Sequence, residues 1–251
     1  MDKDPQWLIL GSEIIPRVIE QMMITSKKLD FGNLNLNVLP FMALCHFHSC
    51  LNLSIEGNGK GYHSAAIALL RQCLEALSLI GISFLDSGET KSLLKDWSDG
   101  RKTNGELRKF LEDNAWHMLG NGLWDESWSD FYANLSKAIQ PYAHYSPQLQ
   151  GWQWMMIKQE SDTKFIMGIG QYAYDPLKAS RVSLMHTLVG WTLARIGLAS
   201  RLNNEINDMA EKISLLGKYL SNSKLLFQNQ EDWAFQIMPH VFFKRGYSYE
   251  E

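Results

Sequence analysis

The strongest structural signal in the chain is a long apolar segment in which two charges stand four residues apart. Residues 62–85 carry apolar side chains at helical spacing, and Arg71 and Glu75 lie in the middle of this run. Residues at i and i+4 share one face of a helix. Charges embedded among apolar side chains are costly unless they are paired or put to use. The segment therefore predicts a core helix that carries an ion pair or a polar pocket on one face.

Most other segments also repeat apolar residues with the 3.6-residue period of an α-helix. The period changes over about 152–169, where two short apolar runs flank a polar turn and predict a small β-hairpin. No internal repeat or linker-like tract interrupts the chain. We predict a mainly α fold, a helical bundle in a single domain over 1–251. Its bundle core spans about 62–202, with N-terminal helices over 5–56 and a C-terminal extension over 203–251.

Capping residues predict where two of these helices begin. Asp175 precedes Pro176, and proline is favoured in the first turn of a helix because its missing N–H has no partner to lose there. Asp125 or Ser127 is the predicted N-cap of the helix that contains "YANLSKAIQPYAHYSP". These signals divide the second half of the chain into helices.

Composition limits the classes of function. The 251 residues are 45% apolar and 20% charged, with a net charge of −3. A protein that coats nucleic acid by bulk attraction would be basic, so RNA contact here requires a local basic patch. Three cysteines without a disulfide framework suit a reducing compartment. We expect a cytoplasmic protein without a membrane span, because Arg71, Glu75 and Arg195 interrupt its apolar runs.

Two motifs and the tryptophan content suggest binding sites, but the rest of the sequence does not support them. "CHFHSC" has no second Cys/His pair at zinc-finger spacing, and a structural zinc needs four ligands. "EGNGKG" lacks the residue order of a phosphate-binding P-loop. The nine tryptophans are expected mainly in the core. We predict no metal site and no cofactor.

"RVSLMH" places Arg181 five residues before His186, a spacing found in metal-independent ribonucleases. About one such match arises by chance in a chain of this composition. The pair is therefore kept as a fallback catalytic site.

Two segments together resemble the HEPN (higher eukaryotes and prokaryotes nucleotide-binding) superfamily. The first is "GKGYHSAAIALLRQCLEALSLIGISFL", similar to a bacterial HEPN helix with the pattern L-L-R-x-x-L-E. The second is "FYANLSKAIQPYAHYSP", similar to a later helix that ends in a histidine after an L-S signature. The order of the two helices agrees, and together they cover about 45 residues. The flanking segments carry no such resemblance.

The resemblance implies a helical bundle, often a homodimer, whose active members are endoribonucleases of toxin–antitoxin and phage-defence systems. In those proteins an arginine stabilises phosphate charge and a histidine transfers protons, two separable needs of the reaction. Carried onto this chain, the catalytic residues are Arg71, Glu75 and His144. Lys137 stands where the motif has arginine, and an ammonium lacks the two-pronged grip of a guanidinium. Lys137, Ser136 and Tyr142 are then expected to bind RNA or another ligand.

Two functions follow as expectations. The first is a HEPN-like toxin or defence protein that cleaves RNA without a metal, as a homodimer or with a partner protein. The alternative is a helical module without catalysis that binds a partner protein, a nucleotide or RNA within a larger complex. The departure at Lys137 favours the second, and the pair Arg71/Glu75 is compatible with both.

Overall fold

The computed structural model describes residues 4–85, 89–142, 146, 149, 154–161, 164–169, 174–200 and 207–226. Its helices are α1 (Gln6–Ser26), α2 (Leu34–Asn37), α3 (Leu39–Gly59), α4 (His63–Phe84), α5 (Thr90–Ser98), α6 (Asn104–Asn114), α7 (Trp128–Ile139), α8 (Pro176–Ala199) and α9 (Ala210–Ser221). Two strands, β1 (Trp154–Ser161) and β2 (Lys164–Ile169), pair antiparallel, with Trp154 opposite Ile169 and Met156 opposite Met167. The prediction of a mainly α-helical fold is confirmed.

Helices α3 and α4 form a helical hairpin with a tight turn. Gly61 in this turn has φ +85°, a left-handed conformation that costs glycine little. The Ser54 hydroxyl donates to the Ala66 carbonyl at 2.6 Å, and the Cys73 thiol donates to the Phe47 carbonyl at 3.6 Å. Residues nearer the start of α3 thus contact residues nearer the end of α4. The two helices are therefore antiparallel along most of their length.

The central helix of the bundle is α4, which contacts α3, α5, α6, α7 and α8. From Ala76 to Leu85 every side chain is buried. Before Ala76, α4 keeps a polar edge at Arg71, Gln72 and Glu75. This helix shares one apolar core with α1, α3 and α8, so the helices before residue 60 belong to the same core as those after it.

Helices α1 and α8 approach closely because glycine stands at two of their contact points. A Cβ atom built on Gly190 would lie 2.3 Å from Cδ1 of Ile15. A Cβ atom on Gly11 would lie 2.7 Å from Cγ2 of Thr187. Real carbon atoms do not approach this closely, so the contact requires a residue without a side chain at both positions.

A cluster of aromatic rings joins α7, α8 and α9. Trp128, Phe131 and Trp191 are buried with ring centroids 5.1–5.7 Å apart. The guanidinium of Arg195 lies over Trp128 and Trp191, 5.3 and 5.0 Å from their ring centroids, and it donates to the Leu119 carbonyl. The charge of Arg195 is therefore held by ring faces and a carbonyl group.

A neutral histidine ties the α3–α4 turn to the start of α8. His63 Nδ1 lies 2.7 Å from Asn58 Oδ1, and His63 Nε2 accepts the backbone N–H of Asp175 at 3.0 Å. Because the amide oxygen only accepts, Nδ1 carries the proton and the ring is uncharged. The Asn58 amide donates in turn to the Ala179 carbonyl at 3.0 Å. Burial lowers the pKa of His63 to about 4, which keeps this network intact at neutral pH.

Among the residues that the structure describes, three segments are long and apolar enough to cross a membrane: Leu34–Gly59, His63–Phe84 and Pro176–Ala199. In the most apolar window of each, the buried share is 39%, 67% and 78% respectively. The second and third segments therefore bury most of their apolar surface against the rest of the chain. The absence of a membrane span, which we expect because charged residues interrupt these segments, stays a prediction.

Candidate anion-binding site

A small polar pocket of about 60 Å³ lies where α4, α6 and α7 meet. We call it the polar pocket. Its lining consists of Arg71, Leu74, Glu75, Ser78, Asn104, Gly105, Arg108, Tyr132 and Ser136. Polar and charged side chains from three helices thus face one small open volume beside the apolar core.

The ion pair predicted from the sequence forms one wall of the polar pocket. Arg71 Nε donates to Glu75 Oε1 at 3.0 Å, and the two side chains are 25% and 35% exposed. The pair is neither fully buried nor part of a solvated ladder. Only Nε donates to the carboxylate, and within the part of the chain that the structure describes the two terminal nitrogens of Arg71 form no hydrogen bond. They can donate to an anion while Glu75 holds the guanidinium in place.

A second guanidinium enters from α6. The start of α6 is fixed by a capping box, in which Thr103 Oγ1 accepts the Glu106 N–H at 3.3 Å and Glu106 Oε2 accepts the Thr103 N–H at 2.9 Å. Leu107 and Leu111 bury the inner face of α6, and this orientation brings the half-buried Arg108 to the pocket. Among the described residues no ion pair engages Arg108. Two guanidiniums and one carboxylate give the pocket a formal charge of about +1.

A buried phenol closes the floor of the pocket. Tyr132 OH donates to the Leu74 carbonyl at 2.9 Å. Burial raises the pKa of Tyr132, although a hydrogen bond with Ser78 acts in the opposite direction. The phenol therefore stays neutral and adds no negative charge beside the arginines.

A wider chamber of about 350 Å³ adjoins the polar pocket. Glu75 and Asn104 line both volumes, so the two lie side by side. The chamber is mainly apolar, and its other lining residues are Leu39, Met42, Ala43, His46, Gln72, Ala76, Leu79 and Trp97. Trp97 is oriented by its indole N–H, which donates to Asn104 Oδ1 at 2.8 Å. The combined site offers cations at one end and an aromatic ring with apolar side chains at the other.

The predicted residues of the second helix occupy three different environments. Ser136 is buried and lines the polar pocket. Lys137 is exposed on α7 and is absent from the pocket's lining. Tyr142 is buried in the apolar core. His144 lies outside the described residues. The structure therefore brings together Arg71, Glu75 and Ser136 of the predicted set.

The fallback pair lies in the interior of α8. Arg181 and His186 are both buried, 4% and 6% exposed. Five residues along an α-helix correspond to a rotation of about 140°, so the two side chains leave α8 in different directions. His186 Nε2 lies 2.7 Å from Ser54 Oγ, and burial lowers the pKa of His186 to about 3. An imidazole with this pKa is a weak base at neutral pH.

The Cys/His motif forms a local contact on α3. His46 Nε2 lies 3.6 Å from Cys50 Sγ. No group of three or more potential metal ligands occurs in the described part of the chain. The three cysteines are free thiols, and burial raises the pKa of Cys73 and Cys50.

Arg108, Tyr132 and Trp97 were not singled out from the sequence. Each stands on a helix whose own pattern is ordinary: Arg108, for example, directly follows the buried Leu107 of α6. The crossing of α6 over α4 brings Arg108 to Arg71, and no local signal specifies that crossing. The isolated charges on α4 were the one available indication that a polar site needed partners.

Comparison with family models, with curated proteins and with solved structures finds no match for this chain.

Proposed function

We propose that the protein binds RNA or a nucleotide, with a phosphate group held between Arg71 and Arg108. One observation carries the proposal: two guanidiniums from different helices line one small pocket that contains a single carboxylate. Guanidinium groups match the oxygen geometry of phosphate and donate charge-assisted hydrogen bonds to it. Because the net charge of the chain is −3, affinity depends on this local cluster.

The adjoining chamber suits the base of the same nucleotide. Trp97 and the apolar side chains around it offer a stacking surface, and aromatic stacking contributes about 1–3 kcal/mol per base. Gln72 and Asn104 supply amide groups for hydrogen bonds to base edges. The polar pocket and the chamber lie close together, since Glu75 and Asn104 line both volumes. One nucleotide therefore accounts for both ends of the site.

Arg71→Ala and Arg108→Ala are each expected to weaken the binding of a fluorescein-labelled single-stranded RNA about tenfold. This corresponds to the loss of one charge-assisted interaction of about 1.4 kcal/mol. Fluorescence anisotropy measures the affinity, and competition by AMP tests whether one nucleotide suffices. Arg71→Lys should restore the affinity only in part, because an ammonium cannot form the paired hydrogen bonds.

Arg17→Ala is the matched control for these variants. Arg17 is an exposed arginine on α1, 49% exposed and 3.7 Å from Glu13, and it does not line the pocket. Its removal changes the net charge as much as Arg71→Ala does. Because Arg17 lies outside the pocket, its removal should leave the affinity unchanged. If all three alanine variants bind RNA equally well, the polar pocket is not the site.

Cleavage of RNA is the second candidate, and Glu75 favours it. A carboxylate beside two guanidiniums places a proton acceptor next to the proposed phosphate, an arrangement suited to attack of a 2′-hydroxyl on phosphorus. The products would be a 2′,3′-cyclic phosphate and a free 5′-hydroxyl group. In this hypothesis His144 supplies the second proton transfer, in a HEPN-like toxin or phage-defence protein that acts as a homodimer or with a partner protein.

Growth of cells that express the protein tests cleavage. We expect growth to slow, His144→Ala to relieve the arrest, and His186→Ala to leave it in place. Relief of the arrest by His186→Ala alone would assign the catalytic site to Arg181 and His186. If labelled RNA remains intact after incubation with the purified protein, cleavage is excluded and binding of RNA remains as the proposed function.

We propose a cytoplasmic location. Free thiols at Cys45, Cys50 and Cys73 suit a reducing compartment. Two of the long apolar helices, α4 and α8, bury most of their most apolar window against the rest of the chain.

A further inference from the structure

A second volume of about 220 Å³ lies on another side of the bundle, between α1, α3 and α8. We call it the apolar cleft. It shares no lining residue with the polar pocket or its chamber. Its walls are formed mainly by Leu8, Ile15, Ile19 and Leu51, and the exposed residues Ser12 and Ile55 lie at its rim. The cleft is therefore an apolar volume that opens to solvent.

Two histidine rings, His48 and His186, also line the cleft. His48 Nε2 lies 2.9 Å from Asn52 Nδ2, and the hydrogen bonds of the buried His186 fix its tautomer. The Ser54 hydroxyl has a single proton, which it donates to the Ala66 carbonyl at 2.6 Å. Ser54 Oγ can then only accept at the 2.7 Å contact with His186 Nε2. The proton of His186 is therefore on Nε2, and Nδ1 is an unprotonated acceptor. Within the described residues no hydrogen bond engages Nδ1.

We propose that the apolar cleft binds a small uncharged molecule with an aliphatic body and one hydroxyl group, whose proton is accepted by His186 Nδ1. The apolar walls favour the aliphatic body, since the transfer of each CH₂ group from water to apolar surroundings is favourable. No Asp, Glu, Lys or Arg side chain lines the cleft, so a carboxylate or an ammonium group would lose its hydration without a permanently charged partner.

The volume limits the size of the ligand. An apolar cavity of about 150 Å³ holds benzene, whereas drug-sized ligands occupy about 300 Å³ or more. A cleft of about 220 Å³ lies between these sizes and suits a molecule of roughly nine non-hydrogen atoms, by proportion to benzene. 1-Octanol has this size and carries one hydroxyl group, which makes it a suitable probe.

Titration with 1-naphthylamine, a neutral dye of eleven non-hydrogen atoms whose emission shifts in apolar surroundings, tests the proposal on the whole chain. We expect saturable binding and displacement of the dye by 1-octanol. Octanoate at pH 7 should displace the dye at least tenfold less well, because it carries a charge and no proton for Nδ1 to accept. Equal displacement by both compounds would overturn the proposed selection of a neutral hydroxyl.

Variants at the rim locate the site without disturbing the core. Ile55→Trp and Ser12→Trp add bulk at two exposed positions on opposite walls, and each is expected to reduce dye binding at least tenfold. Leu53→Trp is the control, because Leu53 is 56% exposed on the same helix as Ile55 and lies outside the lining. Dye binding that survives both rim variants, or that falls equally in the control, would show that the dye binds elsewhere and would overturn the proposal.

His186→Met tests the acceptor itself. Methionine keeps an apolar side chain of similar length but offers no comparable acceptor. The variant is expected to bind the dye and to lose at least tenfold in its affinity for 1-octanol; an unchanged affinity would exclude His186 as the acceptor. Thermal unfolding shows whether the variant folds. If it does not fold, the comparison of 1-octanol with octanoate on the unmodified protein still tests whether the cleft selects a neutral hydroxyl group.

Discussion

Gly190→Ala is expected to lower the free energy of unfolding by about 2 kcal/mol, although alanine is the better helix former. The added Cβ would lie 2.3 Å from Cδ1 and 2.8 Å from Cγ1 of Ile15. Either α1 must move away from α8, or Ile15 must leave its preferred rotamer. For a chain of this size the melting temperature should fall by roughly 4–8 °C.

Gly57→Ala is the matched control, and it should change stability in the opposite direction. Gly57 is also a helical glycine, but its added Cβ would meet only Tyr62 Cβ, at an ordinary 3.8 Å. The gain in helix propensity then dominates and raises the free energy of unfolding by about 0.5–1 kcal/mol. Urea unfolding followed by circular dichroism measures both variants. Stabilisation by both substitutions would mean that α1 and α8 are not packed as closely as described.

Lowering the pH from 7 to 5 is expected to reduce the free energy of unfolding by about 4 kcal/mol, with about 2 kcal/mol from each of His63 and His186. Burial lowers their pKa values to about 4 and about 3, whereas an unfolded histidine has a pKa of about 6.5. Below pH 6.5 the unfolded chain therefore binds more protons than the folded chain. Stability is fully present above pH 6.5 and is lost as the pH falls toward the folded-state values.

Urea unfolding at pH 7, 6 and 5 measures this loss. Most carboxylates remain ionised above pH 5 in both states, so this interval isolates the histidines. Replacing both His63 and His186 by glutamine should remove most of the slope with pH. His117→Gln, at an exposed histidine, should leave it unchanged. A double variant with the slope of the unmodified protein would contradict the assignment.

Local chemistry made several elements of the fold predictable. N-terminal helices were expected over residues 5–56, and α1 and α3 span Gln6–Ser26 and Leu39–Gly59. The expected N-cap Asp175 accepts the backbone N–H of Leu177 at 2.9 Å, and Ser127 is the observed cap of α7. These features depend on a few adjacent residues, so the sequence contains the whole signal.

The candidate site was only half predictable, because it depends on contacts between distant segments. The isolated charges Arg71 and Glu75 on an apolar helix indicated one wall of the polar pocket. Arg108 completes the pocket only through the crossing of α4 and α6. His186 matched a catalytic spacing, yet its environment is set by Ser54, 132 residues away. Periodicity describes which face of a helix is apolar; it does not specify which neighbour covers that face.

The helical hairpin of α3 and α4 and the close contact of α1 with α8 differ in how much chain must be ordered before each forms. A three-residue turn joins α3 to α4, whereas Ile15 and Gly190 are separated by most of the protein. Closing a longer loop costs more entropy, and distant contacts tend to form after local ones. We expect the hairpin to form early in folding and the α1–α8 contact to form after the rate-limiting step. Gly190→Ala should then accelerate unfolding and leave the folding rate nearly unchanged.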